Sequence, residues 1–123
     1  MSHILWLEAY NLDEFGDVQY TEDWINENIS GTIQIIEPDG KLVLGYGSAM
    51  HFIYKGMEHA GAEVITSDEG DIFGPPKLLK QVIAHEWETW HKNDPRWNWR
   101  WETIEDFFAR YGEYGYLIIV TVY

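Results

Sequence analysis

Two strand-length apolar segments near the ends of the chain constrain its fold more than any other feature. Residues 3–10 (HILWLEAY) put apolar side chains on both sides of an extended backbone. Residues 116–123 (YLIIVTVY) are dense in β-branched and aromatic residues, which suit a buried strand. A strand that is apolar on both faces has to be covered on both faces, so residues 3–10 are expected inside a sheet.

The segments between them alternate helical and extended patterns. Thr21 is placed to cap a short helix, with Glu22 and Asp23 in its first turn, Trp24, Ile25 and Ile29 on one face and Gly31 at its end. Residues 32–37 (TIQIIE) and 41–46 (KLVLGY) flank Pro38-Asp39-Gly40. There Pro sets the first φ and Gly takes the left-handed position, so a β-hairpin is expected. Ser48 is a candidate cap for a second helix running to Ala60, with Met50, Ile53, Met57 and Ala60 on one face and Gly61 closing it. Residues 62–66 (AEVIT) suit a strand and residues 67–74 (SDEGDIFG) a loop.

Pro75 and Pro76 suit the first turn of a third helix, lined by Leu79, Ile83, Trp87 and Trp90 and ended by Asp94-Pro95. A fourth helix carries Ile104, Phe107, Phe108 and Tyr111 as its stripe and stops at Gly112. The expected order is β-α-β-β-α-β-α-α-β. It describes one α+β domain over residues 1–123, with a mainly antiparallel or mixed sheet of about five strands packed against three to four helices.

Charge bounds the function. The formal net charge is −13, from 21 Asp and Glu against 8 Lys and Arg, in a chain that is 46% hydrophobic. That core fraction opposes disorder. The negative charge opposes direct binding to nucleic acid or an anionic membrane, both of which need clustered cations. No basic segment precedes an apolar run at the start, and no apolar run reaches membrane-spanning length, so a cytoplasmic location is expected. With no cysteine there is neither a disulfide nor a thiolate metal site.

The acidity is unevenly distributed. Residues 1–40 hold Glu8, Asp13, Glu14, Asp17, Glu22, Asp23, Glu27, Glu37 and Asp39 and no Lys or Arg. A second group is Glu63, Asp68, Glu69 and Asp71. Asp13, Glu14, Asp17, Glu22, Asp23, Glu27, Asp68, Glu69 and Asp71 are therefore the candidate partner-binding carboxylates, able to steer a basic protein. Against this stands the plain use of surface charge for solubility.

Five of the seven tryptophans fall between Trp87 and Trp101. RWNWRW reads as extended, with Trp97, Trp99 and Trp101 on one side and Asn98 and Arg100 on the other. That ladder is a candidate interface or stacking platform, with core packing as the alternative.

Catalytic motifs are missing. HEWETWH carries His85 and His91 six apart, whereas a zinc-protease helix needs two His four apart. His51 and His59, eight apart, lie about 80° apart around a helix. The loop at Asp68 lacks the spacing and final Glu of an EF-hand. Gly45-Tyr46-Gly47-Ser48 matches no phosphate or dinucleotide loop, and no Gly-x-Ser-x-Gly elbow occurs. No cofactor or metal is expected.

The leading expectation is an acidic, non-catalytic binder or inhibitor of a basic protein. Bacterial immunity proteins and phage anti-defence proteins, which block nucleases by occupying the positive groove as DNA mimics, belong to that class. Two readings stand beside it. One is a small enzyme assembled from scattered Glu, His and Tyr, with His51, His85 and Glu86 as candidates. The other is a sugar- or peptide-binding module built on the Trp ladder. The oligomeric state is not legible.

Overall fold

The computed structural model describes residues 4–11, 20–29, 36–46, 49–90, 98–112 and 116–122, with backbone only for Tyr46, Ala49, Trp90, residues 98–100, Tyr116 and Val122. The elements run β1 (Ile4–Asn11), α1 (Glu22–Asn28), β2 (Gly40–Tyr46), α2 (Ala49–Glu58), β3 (Ile65–Thr66), β4 (Ile72–Gly74), α3 (Pro76–Trp90), α4 (Asn98–Tyr111) and β5 (Tyr116–Val122). They form a single α+β domain with one five-stranded sheet in the order β2-β1-β5-β4-β3. Every pairing is antiparallel.

The two apolar end segments become the second and third strands of this sheet and pair with each other from Leu5↔Val122 to Asn11↔Tyr116. Alternation then sends each strand's apolar residues to two cores. Leu5, Leu7 and Ala9 of β1, with Ile118 and Val120 of β5 and Ile72 of β4, pack against α2, α3 and α4 in the larger core. Tyr10, Ile119 and Phe73 point the other way and meet Ile25 and Ile29 of α1. The period of two explains why these strands had to be interior: neither set tolerates water.

The helix stripes serve the larger core. Met50, Ile53 and Met57 of α2 are buried, as are Leu79, Ile83 and Trp87 of α3 and Ile104, Phe107 and Phe108 of α4. Thr21 caps α1: its backbone is extended and its Oγ1 accepts the Trp24 N–H at 3.2 Å. Gly112 closes α4 by donating its N–H to the Phe108 carbonyl at 2.7 Å. Helix α2 ends at Glu58, two residues before the expected Ala60. Gly31, Ser48 and Asp94-Pro95, expected as helix boundaries, lie outside the described residues.

Three expectations are corrected. The first concerns residues 67–74, read as loop, whose last three form β4, buried throughout and inserted between β5 and β3. Their neighbours Gly and Asp are turn formers, but Ile72 and Phe73 each bury a full side chain on opposite faces.

The second concerns the hairpin at Pro38-Asp39-Gly40. Residues 32–35 lie outside the described residues, and Ile36 and Glu37 are not in a strand. β2 pairs with β1, and the Asp39 N–H donates to the Ala9 carbonyl at 2.8 Å. Gly40 is not left-handed, since Gly70 alone has positive φ among the described residues. What Gly40 provides is space, because a Cβ there would run into the Tyr111 ring.

The third concerns RWNWRW. α4 begins at Asn98, so Trp99 and Trp101 are helical and about 200° apart around the axis rather than on one side. Trp101 is half-buried against the larger core and stacks on Trp87 at 5.7 Å with 24° between the rings. Trp97 lies outside the described residues.

Truncating Phe73 tests the placement of β4. Phe73→Ala should cost about 3–5 kcal/mol in urea unfolding, because it empties a fully buried site. A surface loop residue would cost about 0.5 kcal/mol or less.

Candidate functional site

Helix α1 lies on the sheet through Ile25 and Ile29, which leaves Glu22, Asp23 and Glu27 exposed on its outer side. It carries no basic residue in its last turn. On the neighbouring edge of the sheet, β3 and β4 are joined by a turn over residues 67–71, and Asp68 and Glu69 are exposed at its tip. The backbone N–H of Asp68 donates to the Asn26 Oδ1 of α1 at 3.0 Å. That bond spans 42 residues of sequence and joins the two acidic groups into one surface. Among the described residues, no ion pair involves Glu22, Asp23, Glu27, Asp68 or Glu69.

The turn is held from three sides. Ser67, itself buried, donates its N–H to the Asp71 carbonyl and accepts the Asp71 N–H on Oγ at 3.0 Å. Gly70 adopts φ +87, a left-handed conformation that only glycine reaches without strain. Its carbonyl accepts the Tyr54 phenol from α2 at 2.7 Å. Burial pushes the Tyr54 phenol above its ordinary value of 10.0, and the carboxylates of Glu58 and Asp71 push it the same way. The turn's backbone groups are thus engaged by the protein, while the side chains of Asp68 and Glu69 project outward.

Of the expected partner-binding residues, Glu22, Asp23, Glu27, Asp68 and Glu69 are exposed and Asp71 is half-buried, and the Asn26–Asp68 bond brings their two segments into contact. Asp13, Glu14 and Asp17 lie outside the described residues. Trp101 of the aromatic ladder is not among them, since it stacks on Trp87 of α3, while Trp97 and the Trp99 side chain lie outside the described residues.

The candidates for an enzyme site lie on α2 and α3. His51 is exposed and meets Phe52 edge-on at 6.3 Å, and His85 is exposed on α3. Glu86 is half-buried on the side of α3 that approaches Gly56 of α2. Among the described residues, no three His, Asp or Glu side chains gather where they could hold a metal. An open groove of about 390 Å³ is lined by residues 60–63, Pro75, Lys77, Leu78 and Gln81, none of them a candidate. Among the described residues, no helix is long and apolar enough to cross a membrane.

A second constellation escaped the sequence reading. Trp6, Glu8 and Tyr10 alternate along β1 on the side facing α1. The Trp6 indole N–H donates to Glu8 Oε1 at 2.9 Å and the Tyr10 hydroxyl to Oε2 at 2.8 Å. Lys41 of β2 sits 4.4 Å from the Trp6 ring centroid. The available signal was a lone carboxylate two residues from an aromatic on either side within an apolar strand.

Two substitutions probe the acidic turn. Asn26→Ala should cost about 0.5–1.5 kcal/mol and speed hydrogen exchange at the Asp68 amide above all others. For Tyr54, a raised folded pKa means stability fully present below the unfolded value and lost as pH rises through the folded one. The urea midpoint of Tyr54→Phe should therefore lie below wild type at neutral pH, with the gap closing above pH 10.0.

Compared with models of protein families, with curated protein sequences and with solved structures, the chain matches none.

Proposed function

We propose that the protein is a non-catalytic binder that engages a basic protein through the acidic surface of α1 and the β3–β4 turn. The observation that carries the proposal is the Asn26–Asp68 hydrogen bond, which places two acidic segments distant in sequence side by side. Five exposed carboxylates on one surface, without a lysine or arginine paired to them among the described residues, set up a negative field over that side. Such a field raises association rates with a basic partner and suppresses acidic ones.

A fixed turn adds to this. Groups already ordered in the free protein lose little conformational freedom on binding, so more of the electrostatic attraction survives as affinity. The partner class that fits is a protein with a positive groove, of which a nuclease is the main example, because that groove must already accept a row of phosphates. On this reading the carboxylates occupy phosphate positions, and the protein acts as an inhibitor of the immunity or anti-defence kind. The Trp87–Trp101 stack belongs to the core in this reading and lends the surface rigidity rather than contact area.

Affinity capture from the natural host, followed by identification of the bound protein, tests the proposal. Reversing Glu22, Asp23 and Glu27 to Lys should lower the association rate by about tenfold or more at low salt and leave the unfolding midpoint near wild type. A captured partner whose binding ignores both the reversals and added salt would sink the idea.

A further inference from the structure

Glu8 differs from the carboxylates of the acidic surface. It stands in the middle of β1, half-buried, and points to the side of the sheet that α1 partly covers. Each of its oxygens accepts one hydrogen bond from a neutral donor, Trp6 on Oε1 and Tyr10 on Oε2. Lys41 is its register partner across the β1–β2 ladder. Opposite charges placed so ordinarily pair. Yet the Lys41 ammonium lies over the Trp6 ring, and among the described residues Glu8 makes no ion pair.

An ionised carboxylate offers about four lone-pair sites. Trp6 and Tyr10 use one on each oxygen and fix the orientation of the group, which leaves one acceptor site on each oxygen. A guanidinium presents two parallel N–H bonds with the matching spacing and also stacks on aromatic faces. The position of Lys41 shows that the Trp6 ring already draws a cation, and Lys41 is exposed and able to swing aside.

We propose that Trp6, Glu8 and Tyr10 form a binding site for a guanidinium group, with Lys41 as an internal competitor for the indole face. The site goes beyond the acidic surface described above, since it uses none of the same side chains. The guanidinium belongs either to a small free compound or to an arginine side chain of a bound chain.

The test follows the indole N–H resonance of Trp6, assigned with Trp6→Phe, in protein labelled with nitrogen-15. Ethylguanidinium is titrated in one arm and a blocked Gly-Arg-Gly peptide in the other, against sodium chloride at equal ionic strength. The wild type should show a saturable shift of that resonance. Glu8→Gln, which keeps the shape and removes the charge, should weaken binding about tenfold or more. Lys41→Met should tighten it about threefold by removing the competitor. Equal affinity in both arms assigns the site to free guanidinium compounds, and markedly tighter peptide binding assigns it to an arginine side chain. A shift that never saturates, or affinities unchanged in both variants, overturns the proposal. Should Glu8→Gln fail to fold, Lys41→Met decides alone, and unchanged or weaker binding there overturns it.

Discussion

The antiparallel pairing of β1 with β5 is the interaction on which the rest of the structure depends. It joins residues from opposite ends of the chain, so almost every other element is enclosed in the loop that it closes. The entropy cost of such closure grows only with the logarithm of loop length. It is offset by burial on both faces at once: Leu5, Leu7, Ala9, Ile118 and Val120 on one side, Tyr10 and Ile119 on the other. Among the described residues the other strands build outward from this pair, β2 on β1, β4 on β5 and β3 on β4. Helices α2, α3 and α4 then need only cover one face and α1 part of the other.

What the sequence made legible follows the range of the interactions involved. The Thr21 cap, the Gly112 stop and the stripe residues Met50, Ile53, Met57, Leu79, Ile83, Trp87, Ile104, Phe107 and Phe108 depend on spacings of three or four residues and are where the pattern puts them, whereas Ala60 falls beyond the end of α2. β4 was hidden because three residues are too few to show a period, and its flanking Gly and Asp residues signal a turn. The turn is real, but it ends at Asp71, three residues earlier than the composition implies. The alternation in RWNWRW resembled a strand, although Trp101 gains more from stacking on Trp87 in the core. Local propensity lost to tertiary packing there.

The candidate site was legible only as an inventory. That Glu22, Asp23, Glu27, Asp68 and Glu69 are acidic is plain from the chain, but their meeting rests on one side-chain bond from Asn26 that no spacing rule announces. The Glu8 constellation was closer to legible. Its three residues alternate along one strand, and a carboxylate among apolar neighbours requires donors. The missing piece was Lys41, which joins them because β2 pairs with β1.

The two faces of the sheet therefore carry different burdens. The face under α2, α3 and α4 contributes Leu, Ile, Met and Phe to the larger core, with no buried charged residue among them. The face under α1 carries the half-buried Glu8 and supports the helix that presents Glu22, Asp23 and Glu27. A chain with a net charge of −13 has to keep its carboxylates apart or in water to limit self-repulsion. Here that requirement and the proposed function ask for the same arrangement, because carboxylates held at the surface without cation partners are both well solvated and available. Glu8 is half-buried within the sheet, where each carboxylate oxygen accepts one hydrogen bond from a neutral donor. A carboxylate oriented by neutral donors, with no ion pair among the described residues, is what a receptor for a positive group requires.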